Sequence, residues 1–237
     1  MFKDLTMGKI RKIKIIGAGG IGCYLVEPLA RYLSFCGDEC EITVIDGDKY
    51  EERNKERQRF SEHGNKAEHT VNLLKNEFPK IYFKFKPVFI TQDNVVSSIR
   101  EEDIVFMCVD NHSTRKIVSE RCSELDNVSL ISGGNDFTDG NVIVYLRKDG
   151  QDITRSPVDL HPKIANPDDK NPGDLDESNR QGCQRETEAN PQLLFMNLAV
   201  ASTMLNCYRK CEQNDVNFHQ VYIDIDSLRS RPSPVLE

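Results

Sequence analysis

Gly17, Gly19, Gly20 and Gly22 stand together in the order Gly17-Ala18-Gly19-Gly20-Ile21-Gly22. That spacing lets a backbone turn tightly and approach a phosphate. A helix starting at Ile21 would aim its free N–H groups, with the positive end of its dipole, at the same anion. Asp46 closes the next apolar run, Glu41 to Ile45, where a carboxylate can accept hydrogen bonds from ribose hydroxyls. Asp48, Asn54, Arg57, Gln58 and Lys66 then crowd polar and cationic groups beyond that strand end. A redox dinucleotide has no use for such a set. A triphosphate carries several charges beyond one pyrophosphate, and binding it calls for an amide, a guanidinium and an ammonium within reach. Asp110 follows the buried run Ile104 to Val109 and is positioned for magnesium or for the phosphates that magnesium accompanies. Taken singly, Asp46 and Asp110 read as turn residues at strand ends, and Arg57 and Lys66 as solvated charges.

The elements that must position these groups are legible as runs. Ile13 to Ile16 reads as a buried parallel strand, Ile21 to Leu33 as a helix, and Lys66 to Glu77 as a second helix. Ile81 to Phe89 alternates apolar residues with lysine, which suits a strand with one wetter face. Val128 to Ser132 is a further strand, and Asn141 to Arg147, after the turn at Asp139-Gly140, suits an antiparallel one. These imply an α/β, Rossmann-like fold: a mostly parallel sheet flanked by helices, with an antiparallel C-terminal part and a long crossover loop. We expect one domain over residues 1–237, with a nucleotide-binding half (1–147), the loop (148–190) and a C-terminal helix and strand (191–226). The loop, punctuated by Pro157, Pro162, Pro167 and Pro172, shows little periodicity. Gln192 to Lys210, capped by Asn190-Pro191, reads as a helix buried in the core and against a second subunit. Phe218 to Ile225 reads as a last strand, and Ser227 to Glu237 as a frayed tail.

Composition narrows the partners. A net charge of −7 supplies no basic field for nucleic acid or an anionic membrane, so proteins and small molecules are the expected partners. Met1 to Lys12 has no apolar signal segment and no run reaches membrane-spanning length, so the expectation is a cytoplasmic protein with eight reduced cysteines. Cys36/Cys40 and Cys207/Cys211 are separated pairs that could assemble a zinc site. Their spacing is wider than structural knuckles use, and zinc is not expected. The five histidines show no metal spacing and receive no role.

In order, the motifs G-x-G-G-I-G (Gly17 to Gly22), D-x-D (Asp46, Asp48), N-x-x-R-Q (Asn54, Arg57, Gln58), K-A (Lys66, Ala67) and C-x-D-N-x-x-x-R (Cys108, Asp110, Asn111, Arg115) resemble the ubiquitin-activating-enzyme-like adenylyltransferases, the ThiF/MoeB-like family. The absence of Cys-x-x-Cys pairs points to its zinc-free branch. The resemblance implies an ATP- and Mg²⁺-dependent enzyme, working as a homodimer, that adenylates the C-terminal glycine of a ubiquitin-like or sulfur-carrier protein. It implies phosphate contacts from Gly17, Gly19, Gly20 and Ile21 and ribose contacts from Asp46. Triphosphate contacts would come from Asn54, Arg57, Gln58 and Lys66, with Asp48 beside them and Asp110 for magnesium. Members that go on to a thioester carry the cysteine on the crossover loop, where Cys183 stands between Arg180 and Arg185. The first strand begins by about Lys12, which leaves no room for the amino-terminal helix whose arginine reaches a partner's ATP in many relatives. Two alternatives stay open: a catalytically idle scaffold subunit of a heterodimeric enzyme, and a nicotinamide-dependent oxidoreductase.

Overall fold

The computed structural model describes residues 10–37, 39–51, 64–175 and 194–235. The chain begins with β1 (Arg11–Ile16), α1 (Gly22–Cys36) and β2 (Cys40–Ile45), followed by the short strands β3 (Lys49–Tyr50) and β4 (Gly64–Asn65). Next come α2 (Lys66–Leu74), β5 (Ile81–Lys86), α3 (Val95–Ser98), β6 (Ile104–Met107) and α4 (His112–Ser123). The second half holds β7 (Val128–Asn135), β8 (Asp139–Lys148), β9 (Gln151–Asp152), α5 (Pro157–Leu160) and α6 (Pro162–Ala165). It ends with α7 (Leu194–Glu212), β10 (Phe218–Asp224) and β11 (Arg229–Pro234).

The main sheet runs β5-β2-β1-β6-β7-β8-β10-β11, with β9 paired to β8. β5 through β7 are mutually parallel, and β8, β10 and β11 are antiparallel to their neighbours. The Rossmann-like reading, including the antiparallel C-terminal part, therefore holds.

Alternation in the strands divides the core between the two sheet faces. Ile13, Ile15, Ile42, Val44 and Phe106 pack with α1, α2 and α7 on one face. Ile16, Ile45, Val105 and Met107 pack with Val95, Val118 and Cys122 of α3 and α4 on the other. α1 stops at Gly37, whose φ of 78° is left-handed and lets its N–H reach the carbonyls of Leu33 and Ser34. α7 turns Met196, Val200, Met204 and Tyr208 inward, and Phe195 and Leu198 remain exposed on its outer side.

Two expectations are corrected. The tail is not frayed: β11 pairs with β10 along its length, and Pro232 and Pro234, which lack an N–H, are accommodated because β11 is the edge strand. The crossover segment is not a bare loop over residues 151–175. Three of its four prolines are first helical residues, Pro167 being the exception: Ser156 caps Pro157–Leu160, His161 precedes Pro162–Ala165, and Asn171 caps a 3₁₀ turn at Pro172–Asp174. The remainder of that segment, with the Asn190-Pro191 cap, lies outside the described residues.

β7 and α7 meet without space to spare. A Cβ at Gly133 would lie 2.4 Å from Met204 Sδ and 2.8 Å from Val200 Cγ1. Gly133→Val should destabilise the fold by about 1–3 kcal/mol, read as a lower urea midpoint at unchanged slope. Combining it with Met204→Ala should leave the double variant more stable than the sum of the two single losses.

Candidate nucleotide site

A cleft of about 760 Å³ opens at the carboxyl ends of the parallel strands. It lies where the chain leaves β1 toward β2 on one side and β6 lies on the other, the position at which open α/β sheets bind ligands. Gly17 makes the turn after β1 with φ 89°, and its N–H donates to Ile45 O at 2.9 Å. A side chain there would come within 2.9 Å of the Cys108 carbonyl carbon, and a Cβ on Gly22 would lie 2.0 Å from Gly17 O. Both glycines are thus required by close backbone approach. Gly19, Gly20 and Ile21 line the cleft, and the start of α1 has neither a side-chain cap nor an acidic residue in its first turn. The N–H groups of Cys23 and Tyr24 donate to Gly19 O and Ile21 O at 3.1 Å, so the backbone of Gly19 to Ile21 is what the helix start presents to the cleft.

Asp46 is fixed from two sides. Its carboxylate accepts the Ala18 N–H at 2.6 Å and the Asp48 N–H at 2.8 Å. Burial pushes its pKa up to about 6, against the pull of Lys66, and the neighbouring Asp48 adds to the rise. Lys66 is almost fully buried and reaches Asp48 Oδ2 at 3.2 Å. Burial alone would lower its pKa, but Asp46, Asp48 and Asp110 together raise it, so it remains an ammonium facing three carboxylates. Asn65 sets this geometry. Its side-chain oxygen caps α2 through the N–H groups of Ala67 and Glu68, while its amide donates to the carbonyls of Asp46 at 2.8 Å and Asp48 at 3.1 Å. Lys66 is the first residue of that helix, so its direction follows from the cap.

Asp110 stands exposed in the cleft at the end of β6, near Lys66 and Arg115. Arg115 is buried and ties strand ends together, donating to Val109 O at 2.6 Å, Gly133 O at 2.7 Å and Ser132 Oγ at 3.1 Å. Burial lowers its pKa and Asp110 opposes the shift. The structure therefore brings Gly17, Gly19, Gly20, Ile21, Asp46, Asp48, Lys66 and Asp110 to one cleft. Asn54, Arg57, Gln58 and Cys183 lie outside the described residues. Cys108, from the same motif as Asp110, is a core thiol, pushed up to about 12 by burial.

Sequence reasoning missed two features. The N–H groups of His112 and Ser113 at the start of α4 donate to the Asp169 carboxylate at 2.6 and 2.8 Å. The second helix N-terminus at the cleft is thus already filled by a protein carboxylate. On the antiparallel side, His161 Nε2 lies 3.0 Å from the Asn141 amide and 2.9 Å from Gln220 Oε1, and Gln220 donates to the Tyr222 hydroxyl at 2.6 Å. No motif announces these residues; the only local signal was the His161-Pro162 step. Among the described residues no group of three or more His, Cys, Asp or Glu could hold a metal, the separated cysteine pairs included, and no helix is long and apolar enough to cross a membrane.

A glycine turn, a cleft-lining carboxylate and a buried lysine around one switch-point cleft are the parts that a nucleotide-binding α/β domain needs. The chain belongs to the ThiF family, whose model matches residues 3–234. It is 32% identical over 137 residues to "Adenylyltransferase and sulfurtransferase MOCS3-2" of Zea mays, covering 56% of this chain and 27% of that protein. It is 30% identical over 142 residues to "Adenylyltransferase and sulfurtransferase uba4" of Pyricularia oryzae, covering 57% and 27% respectively. The chain thus spans little more than a quarter of these relatives' length. Among solved structures, MccB of E. coli with ATP superposes with a TM-score of 0.69 at 20% identity, over 94% of this chain and 63% of that one. PaaA superposes at 0.64 and 16% identity, over 96% and 64%. At these identities the likeness is one of fold.

Asp46 should titrate near pH 6 by carboxyl-carbon NMR, and Lys66→Met should move it higher, because the ammonium is what holds it down. The folded acid keeps its proton to higher pH than the unfolded chain does. Its contribution to stability is therefore full below about pH 4 and is lost as pH rises through about 6. A downward move in Lys66→Met would refute the pairing.

Proposed function

We propose that the chain is an ATP-dependent adenylyltransferase for the C-terminal glycine of a ubiquitin-like or sulfur-carrier protein. The observation that carries this reading is the uncapped start of α1 placed in one cleft with buried, charged Lys66 and with Asp46. The first offers N–H groups to phosphate, the second an ammonium, and the third a ribose acceptor. The named function of the aligned relatives supports the same chemistry.

A carboxylate needs no general base. One of its oxygens bonds to the α-phosphorus, the bond from that phosphorus to the bridging oxygen of the β-phosphate breaks, and pyrophosphate leaves with the electron pair. What this chain must supply is alignment and charge. The α1 N-terminus orients the phosphates, and Asp46 fixes the ribose. Lys66, with Arg57, Asn54 and Gln58, balances charge developing on the departing pyrophosphate. Asp110 fits magnesium as an exposed carboxylate in the cleft close to Lys66. When bound, the ion neutralises phosphate oxygens. In a second step the Cys183 thiolate attacks the acyl carbonyl, forming a thioester and releasing AMP. The exposed Phe195 and Leu198 on the outer side of α7 support a homodimer.

Carrier-dependent exchange of pyrophosphate into ATP tests the reading. Exchange should require the carrier's terminal glycine and magnesium, and should fall about 10²–10³-fold in Lys66→Ala. Absence of ATP binding by calorimetry with magnesium present would overturn it. Cys183→Ala should abolish a reductant-sensitive carrier conjugate while exchange persists; a conjugate that survives rules out Cys183 as the acceptor. Sedimentation as a monomer at micromolar concentration would rule out the dimer.

A further inference from the structure

Away from the cleft, a second groove of about 630 Å³ lies on and around β5. β5 is the edge of the sheet and pairs only with β2 among the described residues. The parallel register places Lys12, Glu41 and Tyr82 in one row across β1, β2 and β5, and Lys14, Thr43 and Lys84 in the next. Both rows lie on the face that α3 and α4 cover elsewhere, because Ile16 and Ile45, two residues further along the same strands, belong to that core. α3 is four residues long and packs against α4, and in these rows Lys12, Tyr82 and Lys84 are exposed, while Thr43 is buried and Lys14 and Glu41 are mostly covered.

The groove is cationic in a chain of net charge −7. Lys12, Lys14, Lys75, Lys84, Lys86 and Arg100 line it, against only Glu41 and Asp103. Both acids are already committed. Glu41 lies 2.8 Å from Lys84 and 3.6 Å from Lys14, and Asp103 accepts the Arg100 N–H at 2.9 Å and stands 4.0 Å from Lys14. Among the described residues Lys86 donates to the Ser98 hydroxyl, at 3.3 Å. Its pKa is lowered by burial and then by Lys14 and Arg100, with Asp103 opposing the shift in part. On the opposite face of β5, Phe83 and Phe85 line the same groove beside α2, with Phe85 39% and Leu73 51% exposed.

Lysines alone on an edge strand would serve to prevent pairing. Here Tyr82 and Phe85 stand exposed among them, with Phe83 half-buried against the core, which a merely guarded edge does not need. A second copy of this chain is a poor occupant, since pairing β5 with β5 brings lysines against lysines. We infer that the β5 edge receives an extended segment of an acidic partner protein as an added strand, with carboxylates at alternate positions meeting Lys84 and Lys86 and apolar residues between them meeting Phe83 and Phe85.

The test uses the full chain and a fluorescein-labelled peptide alternating Glu and Val, with a Lys–Val peptide as control, read by anisotropy. The Glu–Val peptide should bind, more weakly as salt rises, and the Lys–Val peptide should not. Lys84→Glu with Lys86→Glu should weaken binding about tenfold or more. N-methylation of the alternate amides that face β5 should abolish binding, whereas methylation of those facing away should not. Equal binding of both peptides, or indifference to N-methylation on either set, overturns the proposal; the latter would mean anion attraction without strand addition. If the double variant loses its thermal midpoint, the N-methyl comparison on the unsubstituted protein decides alone.

Discussion

The Asp46 carboxylate holds the cleft together. One oxygen takes the N–H of Ala18, in the turn after β1, and the other takes the N–H of Asp48, beyond β2. Its backbone carbonyl takes the amide of Asn65, which in turn caps α2 and starts it at Lys66. Three chain segments that meet nowhere else in sequence are thereby fixed about one side chain. Two hydrogen bonds to the charged form would normally keep a carboxyl acidic, yet burial outweighs them and the group is held near 6. Lys66 sits within the same cluster, its own burial offset by the acids around it. Such mutual dependence makes the site sensitive: removing either member leaves the other buried with less compensation.

The two halves of the sheet divide the work. The parallel half ends in N–H groups and the Asp46–Lys66 pair, all suited to a nucleotide. The antiparallel half adds what parallel strands cannot, a wall in which Asn141 of β8 donates to Gln220 and Gln220 to Tyr222 of β10, while His161 Nε2 of the crossover segment either accepts from Asn141 or donates to Gln220 according to its tautomer. The two helix N-termini at the cleft differ for a physical reason. Asp169 takes the first N–H groups of α4 and ties the crossover segment down, with Asn171 donating to Ile90 O and Thr114 Oγ1. The start of α1 has no such side-chain cap and no acid in its first turn, which leaves the positive end of its dipole without a carboxylate of its own.

How far this was legible in the sequence depended on whether a residue's role is local. Gly17, Asp46 and Lys66 act next to the element that carries them, and strand–turn–helix patterning placed each at a strand end or helix start. β11 was missed because its pairing is with β10 and its two prolines argue against a strand anywhere except an edge. The crossover segment was misread because prolines that open short helices and prolines that punctuate loops look alike without their caps. His161 and Gln220 are 59 positions apart in the chain, and nothing local to either marks their contact. Asp169 was invisible for the same reason, being one acid among several in a stretch whose partner helix begins 57 positions earlier.

Charge distribution follows from the same separation of roles. A chain with seven excess negative charges keeps its cleft cation, Lys66, buried and surrounded by Asp46, Asp48 and Asp110, so that its charge acts locally and is little screened by salt. The lysines of β1 and β5 are on the other side of this balance. They outnumber their carboxylates, and Lys14 and Lys84 must share Glu41. Buried, compensated charge sets chemistry at a point, whereas exposed, uncompensated charge acts over a Debye length and governs which surfaces approach. The two kinds of cation stand apart, Lys66 in the cleft at the carboxyl ends of the strands and the lysines of β1 and β5 around the second groove. The strand alternation that buries Ile13 and Ile15 against α1 and α7 is the same one that turns Lys12 and Lys14 outward, so the cationic face arises directly from how the core is built.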